Sequence, residues 1–257
     1  MDRPREPLPT RVADTPSLPA TYHAALDAGL AGLGLTLSSD ARAAIDGQAR
    51  LLLAWTASIN LTAIRDPAAV ALAHVVDSLS GVAVLRECDV DRFIDLGSGG
   101  GYPGLPIAAV LPAARALLLE PVRKKASFLS TVVAATGLTA TVEAAPVRAE
   151  ELAVDARHRG RWPAITARAV ASLSELVELA LPLLSPGGIL VAWKQGDLEL
   201  EWAAAERAMD GLGGDALERR PVEVPGLDGH CLIVATARGR VPADYPRDPG
   251  ARRRRPW

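Results

Sequence analysis

Apolar residues recur along the chain with two different spacings. Between residues 21 and 59 they return every three to four positions, which predicts two helices that meet near Ser38-Ser39-Asp40, a typical helix N-terminus. A third helix is predicted to begin at Asp66-Pro67, because proline is favoured at the first helical position. Beyond residue 88 short apolar runs alternate with helical segments, and this pattern predicts βαβ units and a parallel sheet.

Seven strands are predicted in this second region. Their ranges are 92–96, 115–120, 140–144, 163–168, 188–193, 217–224 and 230–237. Helices are predicted between them at 104–111, 123–136, 148–156, 173–184 and 198–210. The last two strands follow each other across 225–229 with no helix between them, so we expect an antiparallel hairpin at the edge of the sheet.

Four segments are expected along the chain. Residues 1–20 are interpreted as a flexible leader, because proline and charge outweigh apolar residues there. Residues 21–88 are expected to form a helical appendage, 89–240 the α/β domain and 241–257 a basic tail.

Composition narrows the class of protein. Of 257 residues, 49% are hydrophobic and 23% charged, which is ordinary for a folded protein. The N-terminus lacks the apolar segment of a secretory signal, and Pro182 and Ser185-Pro186-Gly187-Gly188 interrupt the longest apolar stretch, so we expect no membrane span. Two cysteines without CxxC spacing build neither a disulfide framework nor a zinc site. We expect a soluble, cytoplasmic protein with no metal.

Basic residues are clustered although the formal net charge is −2. Arg252-Arg253-Arg254-Arg255 lies near the C-terminus, and Arg123-Lys124-Lys125 opens a predicted helix, where cations oppose the helix dipole. Cations placed against that field suggest contact with phosphates, and a solvated helix face is the alternative. A solvated end is likewise the alternative for the arginines of the tail.

A glycine-rich turn follows the first predicted strand, where Phe93 to Gly104 read FIDLGSGGGYPG. In open α/β sheets, ligands bind at the carboxyl ends of the strands. Glycine allows the chain to turn sharply and to approach a ligand without a Cβ atom. The NAD fingerprint GxGxxG would need glycine at the position of Tyr102, so NAD is not indicated.

Two carboxylates indicate which cofactor the turn serves. Asp95 lies two residues before Gly97, where it suits the ammonium group of S-adenosyl-L-methionine (AdoMet) and would repel the pyrophosphate of NAD. Glu120 ends the next strand, where it is expected to accept both ribose hydroxyls. A turn cap for Asp95 and a structural role for Glu120 are the alternatives.

These features predict a class I AdoMet-dependent methyltransferase. We expect a Rossmann-like α/β fold with a mostly parallel seven-stranded sheet, a C-terminal antiparallel hairpin and an N-terminal helical appendage. Asp95, Gly97, Gly99 and Glu120 are its candidate cofactor residues.

Separate segments from about Leu51 to the C-terminus match one protein family. They are Trp55, Asn60-Leu61-Thr62, Arg65-Asp66-Pro67, His74-Val75-Val76-Asp77-Ser78, Asp95 to Pro106, Arg123-Lys124, Arg148-Ala149-Glu150-Glu151, Arg168 to Leu173 and Lys194-Gln195-Gly196. With them the sequence resembles the bacterial 16S ribosomal RNA guanine-N7 methyltransferases of the RsmG (GidB) family. The resemblance implies methyl transfer from AdoMet to guanine N7, with 16S rRNA or the small ribosomal subunit as partner. We expect the protein to act as a monomer.

Site residues follow from the same resemblance. It implies cofactor contacts at Gly97, Tyr102, Ala149, Glu150 and Arg168. Asn60 and Arg168 are expected to orient the target base without acting as a general base. The candidate RNA contacts are Arg65, Arg123, Lys124, Lys125, Arg252, Arg253, Arg254 and Arg255. Glu120 departs from the family, because many relatives carry aspartate there. Whether His74 and Asp77 act in catalysis or fasten the helices to the sheet is left open.

The chemistry at N7 needs no base, because this nitrogen already carries a lone pair in the plane of the ring, so catalysis is mainly positioning and electrostatics. Arg168 follows the fourth strand, where it could orient guanine O6 or bind the cofactor; a salt bridge is the alternative.

Amino-nitrogen methylation usually shows a [DN]PPY loop after the fourth strand, but 167–172 read ARAVAS. Cytosine-C5 methylation needs a cysteine nucleophile on a catalytic loop, and neither Cys88 nor Cys231 lies on one.

Two other functions on this fold stay open. A small-molecule methyltransferase is supported by the modest net charge and needs none of the arginines of the tail. A non-enzymatic RNA-binding assembly factor would be favoured if the protein failed to bind AdoMet.

Overall fold

The fold is built on one seven-stranded sheet with strand order β3-β2-β1-β4-β5-β7-β6. In this computed structural model, which describes residues 7–257, the strands are β1 Arg92–Leu96, β2 Arg115–Leu119, β3 Val142–Ala145, β4 Trp162–Arg168, β5 Leu184–Gln195, β6 Gly214–Pro221 and β7 His230–Ala237. Strands β1 to β5 are parallel, and β7 is antiparallel to both β5 and β6. The predicted parallel sheet with a C-terminal antiparallel hairpin is confirmed.

Helices cover both faces of the sheet. Their bounds are α1 Ala20–Gly32, α2 Ser39–Thr56, α3 Pro67–Val70, α4 Asp77–Leu79, α5 Val82–Glu87, α6 Gly104–Val110, α7 Arg123–Ala135, α8 Ala149–Ala153, α9 Leu173–Ala180, α10 Glu199–Leu212 and α11 Pro249–Arg254. Ser38 caps α2 by accepting a hydrogen bond from the Ala41 amide, and Asp66 caps α3 in the same way. Helix α9 ends four residues earlier than predicted, since Pro182 has no amide hydrogen to continue it.

Two apolar layers sandwich the sheet, because alternate residues of a strand face opposite sides. Phe93 of β1 packs in one layer with Tyr22 of α1, Trp55 of α2 and Phe128 of α7. Ile94 packs in the other layer with residues of α9 and α10. The N-terminal helices therefore cover one face of the sheet and share its core.

The segment predicted as a flexible leader packs against α2 where the structure describes it. Trp55 Nε1 donates to the Pro9 carbonyl at 2.7 Å, and Arg50 Nε donates to the Pro16 carbonyl at 2.8 Å. The prediction of a flexible leader is therefore wrong for residues 7–19. Residues 1–6 of that segment lie outside the described part of the chain.

The C-terminal segment, expected to be a basic tail, also packs against the domain. Residues Pro249–Arg254 form helix α11, which Asp248 caps. Arg252 is 8% exposed and binds Glu150 at 2.5 Å and Glu175 at 2.9 Å. Acidic side chains of α8 and α9 thus supply the counter-charges that allow one arginine of the tail to be buried.

A long apolar helix runs beneath the site. Residues Pro67–Glu87 form a helical stretch of 21 residues, with a turn at Ser80 and Gly81, and its mean hydropathy is 1.8, so by length and composition alone it could cross a membrane. Its middle, Ala71–Val76, is π-helical. Most of this helix, 61% of its apolar window, is buried inside the fold, as in the core helix of a folded domain.

Candidate active site

A cleft of about 670 Å³ opens at the carboxyl ends of β1, β2, β4 and β5 and at the start of β7. Ligands bind at this edge in open α/β sheets. Its walls are the glycine turn after β1, the segment 61–77 and the residues that follow β4 and β5. The predicted cofactor residues Gly97, Gly99, Tyr102, Glu120 and Arg168 all line it.

The glycine turn leaves no room for a side chain at Gly97 or Gly101. Gly97, Gly99 and Gly101 have φ angles of 65°, 54° and 87°, which side chains of L residues rarely adopt. A Cβ atom on Gly97 would lie 2.8 Å from a Val170 methyl group, and one on Gly101 would lie 2.3 Å from a Leu105 methyl group. The turn is therefore fixed by packing on both sides, and its backbone forms one wall of the cleft.

Glu120 holds the turn and still faces the cleft. One carboxylate oxygen accepts the Gly99 amide at 3.0 Å and the other accepts the Val122 amide at 2.8 Å. The side chain is buried, and each oxygen retains a second lone pair. A carboxylate bound in this way can accept two further hydroxyl donors, as the vicinal hydroxyls of a ribose require.

Asp95 lies beneath the turn, away from the cleft. It is fully buried, its Oδ1 accepts a hydrogen bond from Thr166 at 2.7 Å, and it does not line the cleft. A Cβ atom on Gly104 would lie 2.7 Å from Oδ2, so the carboxylate packs against the start of α6. Burial raises the pKa of Asp95 to about 6. The expected direct contact of Asp95 with the cofactor is corrected: the side chain supports the turn from below.

Tyr102, His74 and Arg168 stack at the centre of the cleft. The His74 and Tyr102 rings lie 4.8 Å apart at 23°, and the Arg168 guanidinium carbon lies 5.5 Å from the Tyr102 ring centroid. His74 Nε2 lies 2.7 Å from the Thr62 hydroxyl, and Nδ1 lies 3.4 Å from Arg168 Nη2. Burial and the neighbouring guanidinium lower the pKa of His74 to about 4, so the ring is neutral at neutral pH.

Asp77 joins three elements of the fold at this point. Its carboxylate, 4% exposed, accepts Arg168 Nη1 of β4 at 2.7 Å and lies 2.9 Å from Nδ1 of His230 of β7. Its carbonyl accepts Trp193 Nε1 of β5 at 2.6 Å. Arg168 also donates to the Ala73 and His74 carbonyls, so it is clamped to the long helix. Asp77 and His74 thus fasten helix to sheet and line the cleft at the same time.

Comparison with known proteins identifies the family of this chain. The model of the family described as "GidB: rRNA small subunit methyltransferase G" matches residues 42–221. A "Ribosomal RNA small subunit methyltransferase G" of Dehalococcoides mccartyi strain CBDB1 is 38% identical over 223 residues, which cover 86% of this chain and 94% of the relative. One from Deinococcus radiodurans is 41% identical over 78% of this chain and 79% of the relative. The chain belongs to this family.

Family membership makes the chain a methyltransferase with AdoMet as its cofactor. The structure of mitomycin 7-O-methyltransferase MmcR is similar with a TM-score of 0.52 and 14% identity, over 63% of this chain and 53% of that one, which shows a shared fold alone. The residues present fit AdoMet: the turn offers side-chain-free backbone at Gly97 and Gly99, and Glu120 offers acceptors for hydroxyl groups.

Other residues implied by the family resemblance lie outside the lining of the cleft. Asn60 and Arg65 are exposed, and they border the lining residues Leu61 and Ile64. Ala149 and Glu150 begin α8, and the Glu150 carboxylate is committed to Arg252, so a cofactor contact there would involve the backbone. The roles of these four residues stay predictions.

The basic candidates divide into three groups. Lys125 lines the cleft, whereas Arg123 and Lys124 are exposed beside it on α7. Arg253, Arg254 and Arg255 are exposed. Arg252 is not: its buried ion pairs remove it from any RNA-binding patch, which corrects the prediction made for it.

Sequence reasoning missed several polar residues that line the cleft, among them Thr62, Lys194 and His230. Thr62 and Lys194 lie in segments that carry the family resemblance, so those segments were the available signal. Lys194 Nζ lies 2.6 Å from Glu201 and donates to the Ala171 carbonyl, which ties the end of β5 to the loop after β4. His230 lies in no recognised motif, and its position follows from the pairing of β7 with β5.

Proposed function

We propose that the protein transfers a methyl group from AdoMet to N7 of a guanine in 16S ribosomal RNA. Membership of the family supports the proposal. The observation that supports it most directly is the fixed position of Arg168 in the cleft. Arg168 is held by Asp77 and by two carbonyls of the long helix, so its guanidinium has one fixed position at the end of β4.

The cofactor half of the cleft is the glycine turn with Glu120. Glu120 would hold the ribose hydroxyls, and Tyr102 would cover the cofactor with its ring, which is supported by His74. When bound, AdoMet supplies an electrophilic methyl group on a sulfonium. Asp95 holds the turn in place through Thr166 and takes no direct part in binding.

The other half of the cleft would receive the guanine. Arg168 uses Nη1 on Asp77 and on carbonyls, and one Nη2 hydrogen faces His74. The remaining Nη2 hydrogen and the Nε hydrogen are donors for guanine O6, which lies next to N7. A fixed donor at O6 would orient N7 toward the methyl group, and orientation is a large part of the rate of such a reaction.

Chemistry at N7 matches the protonation states in the cleft. The lone pair of N7 is already exposed, so the reaction needs no base. His74 is neutral, and each of its ring nitrogens has a polar neighbour among the described residues, so the ring has no free proton to give. The groups of the cleft therefore orient and stabilise charge, as expected for the proposed reaction.

Exposed cations near the mouth of the cleft suit a phosphate backbone. Arg65, Arg123 and Lys124 are exposed, and Lys125 reaches the cleft itself. We infer that 16S rRNA, free or within the small subunit, is the partner, and that the enzyme acts in the cytoplasm, where ribosomes assemble. Action as a monomer stays a prediction.

Methyl transfer from labelled AdoMet tests the proposal. Deproteinised 16S rRNA, intact small subunits and a metabolite extract are offered in parallel, with the Gly97→Val variant as control. We expect label in RNA, with N7-methylguanosine in its nucleoside digest. Label in the metabolite extract alone would favour a small-molecule methyltransferase, and a folded protein that binds RNA but not AdoMet would favour an assembly factor.

A further inference from the structure

His230 is a cleft residue that the function proposed above does not use. It is the first residue of β7 and pairs in register with Gln195 of β5. Its side chain lines the cleft and retains 22% of its exposure. The antiparallel direction of β7 brings its start to the same edge of the sheet as the carboxyl ends of β4 and β5.

Asp77 determines which ring nitrogen of His230 can meet a ligand. Nδ1 lies 2.9 Å from Asp77 Oδ1, and a carboxylate accepts hydrogen bonds, so Nδ1 carries the hydrogen. In the neutral ring, Nε2 is then an acceptor. The same carboxylate binds Arg168 through its other oxygen, so one buried group fixes a guanidinium donor and an imidazole acceptor side by side.

The order of the strands places His230 in the half of the cleft opposite Glu120. Glu120 directly follows β2, and from β2 to β7 there are four strand steps in the sheet, roughly 19 Å at the usual spacing. A cofactor whose ribose is at Glu120 leaves the ends of β4 and β5 and the start of β7 to the methyl acceptor. Arg168 lies between the cofactor and His230 in this order.

Guanine has its polar groups in a matching order. Carbonyl O6 separates N7 from the donors N1–H and the 2-amino group. With N7 toward the cofactor and O6 at Arg168, the donor edge meets the next group along, which is His230. Adenine has an acceptor at N1 and no 2-amino group, so an acceptor at this place distinguishes the two purines.

We propose that Nε2 of His230 accepts a hydrogen bond from the N1–H and 2-amino edge of the target guanine. The inference rests on the proposed function. Methylation at N7 makes the ring cationic and its N–H groups more acidic, so this bond strengthens as the reaction proceeds. A contact that strengthens in the transition state raises the rate of the chemical step as well as selecting guanine.

The experiment combines enzyme variants with RNAs altered at the target base. Guanosine, inosine, which lacks the 2-amino group, and 1-methylguanosine, which lacks N1–H, are placed at that position. Single-turnover rates are measured at saturating AdoMet for the wild type, for His230→Ala and for His230→Asn. Asparagine can still donate to Asp77 but has no atom in the place of Nε2. The control is His23→Ala on α1, which does not line the cleft.

We expect His230→Asn to lose about tenfold or more of its rate on guanosine RNA, the usual effect of one hydrogen bond to a charged partner, with unchanged AdoMet affinity. The wild type should lose a similar factor on inosine or 1-methylguanosine RNA, and the variants should lose little more there. A wild-type rate for His230→Asn, or equal losses on all three bases, would show that His230 only supports Asp77 and would overturn the inference. A wild type indifferent to both altered bases would overturn it without any variant.

Failure of the proposed function would look different. A wild-type protein that binds AdoMet and methylates none of the guanosine RNAs would overturn the proposed function, and this inference with it.

Discussion

The carboxylate of Asp77, 4% exposed, lies 2.7 Å from Nη1 of Arg168, whose side chain is 14% exposed. This ion pair joins the long N-terminal helix to the end of β4 inside the cleft. Removing one partner of a buried pair leaves a charge without compensation, which is more costly than the pair itself is stabilising.

Asp77→Asn should therefore lower the free energy of unfolding by about 3 kcal/mol and reduce methyl transfer more strongly than AdoMet binding. The amide keeps the shape of the side chain but leaves Arg168 without a counter-charge. Urea unfolding and single-turnover rates measure the two effects. The matched control is Asp27→Asn, which breaks the more exposed pair with Arg42 and should cost at most about 1 kcal/mol. Equal costs for the two variants would contradict the role given to Asp77.

Two buried groups should give opposing dependences of stability on pH. Burial raises the pKa of Asp95 to about 6, so the folded state binds more protons than the unfolded state from about pH 4 to 6 and loses stability as the pH rises. The pKa of His74 is lowered to about 4, so the unfolded state binds more protons up to about pH 6.5 and stability rises with pH. The two contributions largely cancel in the wild type.

Substitution of either group should reveal the contribution of the other group to the pH dependence of stability. As the pH rises from about 4 to 6.5, the unfolding free energy of His74→Gln should fall by about 3 kcal/mol relative to that of the wild type. Over the same range, the unfolding free energy of Asp95→Asn should rise by a similar amount relative to the wild type. Urea unfolding at several pH values gives both differences, in which other titrating groups cancel. Differences that do not vary with pH would show that neither group titrates abnormally in the folded state.

Gly97→Val should abolish AdoMet binding in a protein that still folds. Valine there brings its Cβ atom to 2.8 Å from Val170 and into the wall of the cleft, on top of the strain at a φ angle of 65°. Gly137→Val is a matched control, because its φ angle is 75° but nothing lies within 4 Å of its Cβ position. Calorimetric titration should find normal AdoMet binding in the control. Equal loss in both variants would attribute the effect to backbone strain.

The sequence predicted the sheet, the hairpin and the glycine turn because each is marked by local periodicity or by a short run of special residues. Glu120 is predicted to face the cleft because it directly follows a strand, and it does line the cleft. The position of Asp95 in the sequence does not show on which side of the turn its side chain lies, and the structure places it beneath the turn. His230 and Asp77 meet across 153 positions, and Arg252 and Glu150 across 102. Contacts over such separations leave no periodic trace, so only the fold reveals them.

Arg252→Ala should lower the free energy of unfolding by about 2 kcal/mol, because Glu150 and Glu175, which are partly exposed, would lose the charge-assisted hydrogen bonds of the buried arginine that they share. Arg253→Ala, one residue further on the same helix, removes an exposed charge and should change stability by about 0.5 kcal/mol or less. Thermal unfolding of the two variants in parallel measures the difference. If Arg252→Ala were as mild as its neighbour, the C-terminal segment would contribute charge without packing.

The exposed arginines at the end of α11 and directly after it allow the charge of the tail to be tested apart from its packing. Deletion of the whole segment would also remove Arg252 and unseat Arg247 from Glu178, so a fall in affinity would not identify the cause. The triple substitution Arg253→Ala, Arg254→Ala and Arg255→Ala leaves both of those ion pairs in place. If the three side chains contact RNA phosphates, the slope of log K against log salt concentration should flatten by up to about 2 to 3, with AdoMet affinity and stability unchanged. Filter binding of 16S rRNA at several salt concentrations measures the slope. A slope equal to that of the wild type would leave the tail with a structural role through Arg252 and would assign the phosphate contacts to Arg65 and to Arg123, Lys124 and Lys125.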